Sequence, residues 1–276
     1  MCMPLLDNMR RWGRLNAVEL REIGIFIAIL AAMTCAVSCR KAATAPSEPT
    51  PVRPATEAIA EAEKLYAGRA DLIKVREAVV ALRQAQADHP SDYDIAWRLA
   101  KYNYYLGAHS PQPQEQEKAF RDGIEAGKQA VQLQDSKPDG HFWLGANYGG
   151  AAQSSVLASF AGVDDIKGEM ETVLKLDQNY QSASAYMVLG EVYLQAPRLL
   201  GGDVQKSIEY LEKGAKLGPD NALMKVTLAK AYAEAHRNAD AQKQIDALMT
   251  MKATPGYEPE YADAVAEAKK VQEKLK

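Results

Sequence analysis

A short signature recurs along this chain, and recurrence at a period of tens of residues restricts the fold more than composition does. Leu144-Gly145 with Tyr148 returns as Leu189-Gly190 with Tyr193, and again as Leu228-Ala229 with Tyr232. Leu99-Ala100 is an earlier copy with Asn103 in the third place, and a weaker copy begins at Leu65. From Thr56 onward the apolar residues fall at helical spacing, and no alternating strand pattern survives. One helical hairpin cannot bury its own apolar face, so several must stack. The expected fold is therefore all-α, an α-solenoid of helical hairpins. Composition agrees: aromatics are only 7% of 276 residues, with 4 Phe and 3 Trp, which suits thin layers whose spacing is set by small side chains.

The unit resembles the tetratricopeptide repeat, a helix–turn–helix that carries Leu-Gly and Tyr on its first helix. That repeat has small or apolar residues at three places on the second helix and usually a Pro after it. The corresponding positions are Ala78, Leu82, Ala85 and Pro90, then Gly123, Gly127 and Ala130. They continue as Ile166, Met170 and Val173 with Gln178 in place of Pro, then Ser207, Leu211, Gly214 and Pro219, and finally Ala241, Ile245 and Leu248. The expected units run about 57–90, 91–138, 139–178, 179–219 and 220–256, followed by a capping helix at 258–275. The cap places Tyr261, Val265, Ala268, Val271 and Leu275 on one stripe and charged residues on the other. Three units carry enlarged turns between their helices, expected near 109–117, 149–165 and 195–203, the last ending in Asp203 as a helix N-cap.

Ahead of the repeats stands a different kind of segment. Arg10, Arg11, Arg14 and Arg21 precede an uncharged run at 23–38, which is short for a membrane span of roughly twenty residues. A basic flank, a short apolar core and small residues make a signal-peptide pattern. The run ends in Ala36-Val37-Ser38-Cys39, which resembles a bacterial lipobox and makes Cys39 the candidate lipidation site; an uncleaved signal anchor is the alternative. Residues 39–55, rich in Pro, Ser, Thr and Ala, are expected to form a disordered tether before a repeat domain at 56–276. Arg40 is not the aspartate associated with inner-membrane retention, so the expected location is periplasmic, lipid-anchored and favouring the outer membrane, with the lipid as the sole membrane contact.

The long repeats and the element Leu199-Leu200-Gly201-Gly202-Asp203 are similar to the T-component lipoproteins of tripartite ATP-independent periplasmic (TRAP) transporters. The resemblance covers roughly residues 90–250. It implies a lipid-tethered helical repeat protein that assembles with itself and with a periplasmic substrate-binding protein, and that has an apolar ligand cleft.

No catalytic constellation is apparent. The three cysteines, Cys2, Cys35 and Cys39, lie in or at the end of the leader, leaving the repeats without a thiol for disulfide or zinc chemistry. His89, His109 (placed in a loop), His141 and His236 lack a second ligand at metal spacing on the same helix face. Asp164-Asp165 and Glu169/Glu171 are read as helix charge on a wet face, because paired catalytic carboxylates need a desolvated pocket. Gly149-Gly150 and Gly201-Gly202 match no phosphate loop and are read as hinges at helix ends. A net charge of -3 gives no case for nucleic acid. No cofactor or metal is expected, and a non-enzymatic protein–protein interaction scaffold is the favoured class. Carrying over the concave positions of the tetratricopeptide repeat gives Trp97, Lys101, Tyr104, Phe142, Met187, Glu191, Val226 and Lys230 as candidate groove residues. They suit an extended protein or peptide partner; a hydrophobic small molecule carried in the same groove is the alternative.

Overall fold

The computed structural model describes residues 52–154 and 156–275, with the backbone alone for 154 and 156–161. The expected leader, Cys39 and the tether as far as residue 51 lie outside the described residues. Among the described residues there are eleven α-helices, one short 3-10 helix and no strand. In chain order they are α1 (Ala55–Ala67), α2 (Leu72–Asp88), α3 (Tyr93–His109), α4 (Pro113–Leu133) and α5 (Pro138–Ser154). They continue as α6 (Val156–Leu176), α7 (Tyr180–Gln195), α8 (Val204–Leu217), α9 (Ala222–Glu234), α10 (Asn238–Thr250) and α11 (Glu258–Lys274).

Each helix packs on the next, and each odd-numbered helix also packs on the following odd one. This makes an inner layer of α1, α3, α5, α7, α9 and α11 and an outer layer of the even helices, the architecture of an α-solenoid. The second-helix positions do close the hairpins. Ala78 and Leu82, Met170 and Val173, Leu211, and Ile245 and Leu248 are fully buried on α2, α6, α8 and α10. The glycine of the Leu-Gly signature has a steric reason: a Cβ at Gly190 would run into the Leu211 side chain of the paired helix. Ser207 on the same outer helix donates its hydroxyl to the Gly190 carbonyl at 2.7 Å, so one residue both seals and satisfies that contact. Helix starts are marked by acceptors. Asp71, Asp92, Asp203 and Asn221 each receive a backbone N–H from the first turn they precede, at 2.9 to 3.1 Å, worth about 1 kcal/mol apiece.

The turns differ from the sequence expectation in instructive ways. The first is short, because α3 runs through His109 and α4 begins at Pro113. The second is helical: α5 extends to Ser154 and α6 starts at Val156, so the extra length goes into both helices. Gly149 and Gly150 accordingly lie inside α5, not at a helix end. The third contains the 3-10 helix Arg198–Leu200, closed by Gly201 at φ 82°. The cap α11 packs on α9 and α10 as an amphipathic helix, burying Ala264, Ala268 and Val271.

Candidate functional site

The inner helices line most of a cavity of about 1010 Å³ on the concave side of the stack. Its wall is strongly aromatic. Tyr104 of α3 lies against Trp143 of α5 with ring centroids 5.7 Å apart, and Trp143 meets Phe142 edge-on at 5.0 Å. Phe142 continues to Tyr180 at 5.3 Å. At the first hairpin Tyr66 stacks on Tyr102 at 4.0 Å with nearly parallel planes. Phe120 belongs to the outer helix α4 yet reaches the cavity, because Gly107 and Gly150 leave it room; a Cβ on either would overlap its ring. That is the function of the glycine inside α5 that the sequence assigns to a hinge.

Six of the eight groove residues line this cavity: Trp97, Lys101, Tyr104, Phe142, Met187 and Glu191. Phe142 is also largely buried, in a cluster with Ile166, Met170, Val173 and Leu189, so it is a core residue with one edge on the cavity. Val226 and Lys230 do not face it. The cap covers the inner face of α9, burying Val226 against Ile245, Leu248 and Ala264, while Lys230 pairs with Glu267 of the cap at 3.1 Å. The repeat frame gives the right inward positions for α9, but another helix occupies that side. Conversely, the frame misses Tyr66, Phe120 and Trp143. The glycines at 107 and 150 are the sequence signal for Phe120; Trp143, one place past a groove position, carries no signal of its own.

Charges within the cavity are few and differ in how they are held. Lys101 sits between the rings of Tyr66 and Trp143, its Nζ 5.1 and 5.6 Å from their centroids. Burial, reinforced by the nearby Arg69 charge, holds its ammonium below the ordinary lysine range. Two hairpins along, burial pushes the Glu191 carboxyl up, opposed by Lys230, and Gln195 donates to it at 2.8 Å. Tyr104 is pushed up to about 12 by burial and then by Glu191.

The C-terminal region crosses from α10 to the opposite end of the stack. Arg69, after α1, gives a two-pronged ion pair to Glu260 of the cap, with Nε–Oε1 at 2.9 Å and Nη2–Oε2 at 2.5 Å. Its Nη2 also donates to the Gly256 carbonyl at 2.5 Å. The guanidinium is nearly enclosed, 6% exposed, with the rings of Tyr66, Tyr105 and Tyr257 around it. His109 stacks on Tyr105 and contacts Asp263 of the cap at 3.0 Å. Tyr257 donates to Gln181 at 2.9 Å. Gln181, Ser182 and Ala183 are in the left-handed region, with φ of 50°, 52° and 61°, so α7 becomes right-handed only after them. Asn221 ties that turn down by donating to the Ser182 carbonyl at 3.1 Å and to Ser184 Oγ at 3.0 Å.

The remaining polar candidates are accounted for locally. His141 contacts Glu169 at 2.6 Å and the Asp135 carbonyl at 2.7 Å, a structural bridge between α5 and α6. His89 contacts the Arg53 carbonyl at 2.8 Å. No group of three or more His, Cys, Asp or Glu suited to a metal ion is present among the described residues. No described helix is long and apolar enough to cross a membrane.

This architecture is shared with solved tetratricopeptide repeat proteins. The chain is similar to TTC0263, a thermophilic TPR protein of Thermus thermophilus, at 19% identity and a TM-score of 0.56, covering 77% of this chain and 100% of that one. It is also similar to pilF of Pseudomonas aeruginosa, at 17% identity and a TM-score of 0.51, covering 81% and 94% respectively. At these identities the likeness establishes the fold. No curated protein sequence matches the chain. The profile described as TRAP transporter T-component matches residues 56–276, the whole repeat array and its cap. The chain belongs to the T-component family of TRAP transporters.

Proposed function

We propose that the protein is a non-enzymatic, lipid-anchored periplasmic scaffold that assembles with the substrate-binding protein of a TRAP-type transporter. The observation that carries this reading is the family match over the entire repeat array, 56–276. The anchor at Cys39 and the tether that precedes α1 would hold the array near a membrane while leaving it free to reach its partner. Because the segment Gly256–Asp263 forms part of the cavity wall and contacts Arg69 and His109, it narrows the groove in which an extended peptide would lie. The partner protein therefore meets the outer surfaces of the array.

A second reading is favoured by that same narrowing: the cavity carries a hydrophobic small molecule. An aromatic-walled space of about 1010 Å³ is at the upper end of the range for small-molecule sites. Trp97, Lys101, Tyr104, Phe142, Met187 and Glu191 would then be ligand contacts.

The experiment is native mass spectrometry of the full chain extracted gently from membranes of cells that also express the binding protein. A retained binding protein is the result expected for the scaffold, and a retained small molecule the result expected for the carrier. Cys39→Ser should move the chain out of the membrane fraction. Recovery of the bare chain alone would overturn both readings, and membrane retention of Cys39→Ser would overturn the lipid anchor.

A further inference from the structure

The ion pairs around the cavity leave one cation over. Arg69 is taken by Glu260 at 2.5 Å, and Arg98 by Glu63 and Asp94, each at 2.8 Å. The carboxylates nearest Lys101 are thus held by guanidinium groups. Among the described residues no acceptor comes within hydrogen-bonding or ion-pair reach of Lys101 Nζ, whose close neighbours are the faces of Tyr66 and Trp143. Ring faces offset only part of the cost of withdrawing an ammonium from water. A cation left in an aromatic cavity on those terms is complementary to an anion that arrives with a ligand. Along the next two hairpins the wall turns apolar, with Phe142 and Ala146 on α5 and Met187, Val188 and Val192 on α7 lining the same space. Glu191 stands in that stretch and disfavours a second negative charge there.

We propose that the cavity binds a small amphipathic monocarboxylate, its carboxylate paired with Lys101 Nζ and its apolar body lying along Phe142, Met187 and Val192. Charge balance selects the head group: one unpaired ammonium neutralises one carboxylate, whereas a phosphate monoester would leave residual charge buried among apolar side chains. The inference deepens the carrier reading and rests on it.

The test uses the full chain, extracted in a non-ionic detergent and stripped of bound lipid, titrated with dodecanoate and separately with dodecan-1-ol at pH 8. Native mass spectrometry reads the bound fraction. The two probes share an apolar tail and differ in the charge of the head. Wild type should bind dodecanoate at least tenfold more tightly than the alcohol. Lys101→Met, which keeps the length of the side chain, should abolish that preference while alcohol binding persists, so the alcohol also reports that the cavity is intact. Lys101→Arg should retain the preference. Equal binding of the two probes by wild type, or an unchanged preference in Lys101→Met, overturns the head-group assignment and leaves the carrier reading standing. Failure of both probes to bind wild type overturns the carrier reading and this inference with it.

Discussion

His141 shows how a residue without catalytic or metal chemistry still carries a measurable signal. Its two ring nitrogens face two acceptors, the Glu169 carboxylate and the Asp135 carbonyl, so the doubly protonated ring satisfies both. The hydrogen bond to Glu169, net of burial, raises its pKa above the ordinary value of 6.5. A group raised in the folded state contributes stability that is complete below its unfolded pKa and fades as pH rises through the folded one. His141→Gln should therefore cost about 1–2 kcal/mol at pH 5.5 and distinctly less at pH 8.5, measured as the difference in unfolding free energy from wild type. A gap that widens with pH would contradict the assignment. The residue scale is also where sequence reading is weakest. A histidine opening a helix and a glutamate 28 residues later give no hint that they meet, because the separation depends on how far α5 and α6 extend. Lys101 is legible as an inward residue, but its lack of a partner depends on where Arg69 and Arg98 direct their own charges.

Between elements, the outer layer is joined by polar staples in register. Arg76 and Arg83 of α2 pair with Glu115 and Asp122 of α4, two turns apart on both helices. Gln86 follows, donating to Gln129 at 2.6 Å. The Arg76–Glu115 pair is two-pronged, with both contacts at 2.8 Å, and Ser110 adds a hydroxyl donor to the same carboxylate. These donors, led by Arg76, lower the Glu115 carboxyl to about 2. Its contribution is present above the ordinary value of 4.5 and is lost as pH falls toward 2. Arg76→Met should lower stability by about 1 kcal/mol at pH 7, with wild type and variant converging as the solution is acidified below 4.5. A gap that is constant with pH would assign the loss to packing of the arginine stem. At this scale the sequence is most informative. The helical periodicity marks out the hairpins, and the small positions on the second helices are buried where the repeat frame puts them. The middle of the array is harder: glycines at 149 and 150 ordinarily weaken a helix, yet here the close approach of Phe120 keeps one of them inside α5.

For the whole molecule, the contact between Arg69 and the cap changes the physics of a repeat array. In an open solenoid each repeat touches only its neighbours, and stability is a sum along a line. Here residues 191 apart in sequence are in direct contact, so the ends support each other. Arg69 is 6% exposed and Glu260 23%, and breaking a buried pair by removing one partner costs roughly 3–5 kcal/mol. Arg69→Met should therefore raise hydrogen exchange across α11 and the turn before it, while helix content by circular dichroism stays near that of wild type. Exchange unchanged in α11 would show that packing on α9 and α10 alone holds the cap. None of this is visible from the repeats, which describe neighbours and say nothing about how far the stack curves. A capping helix is expected to shield the last hairpin, and this one does so at Val226, but its first turn also meets the first hairpin.

That meeting fixes the number of units. An open array tolerates the gain or loss of a hairpin at modest cost, since each new layer only needs a neighbour on either side. In this protein an added or deleted hairpin would rotate and displace one end relative to the other, separating Glu260 from Arg69 and Asp263 from His109. Among the described residues the count of five hairpins and one cap is therefore a closure condition, as the number of strands is in a barrel.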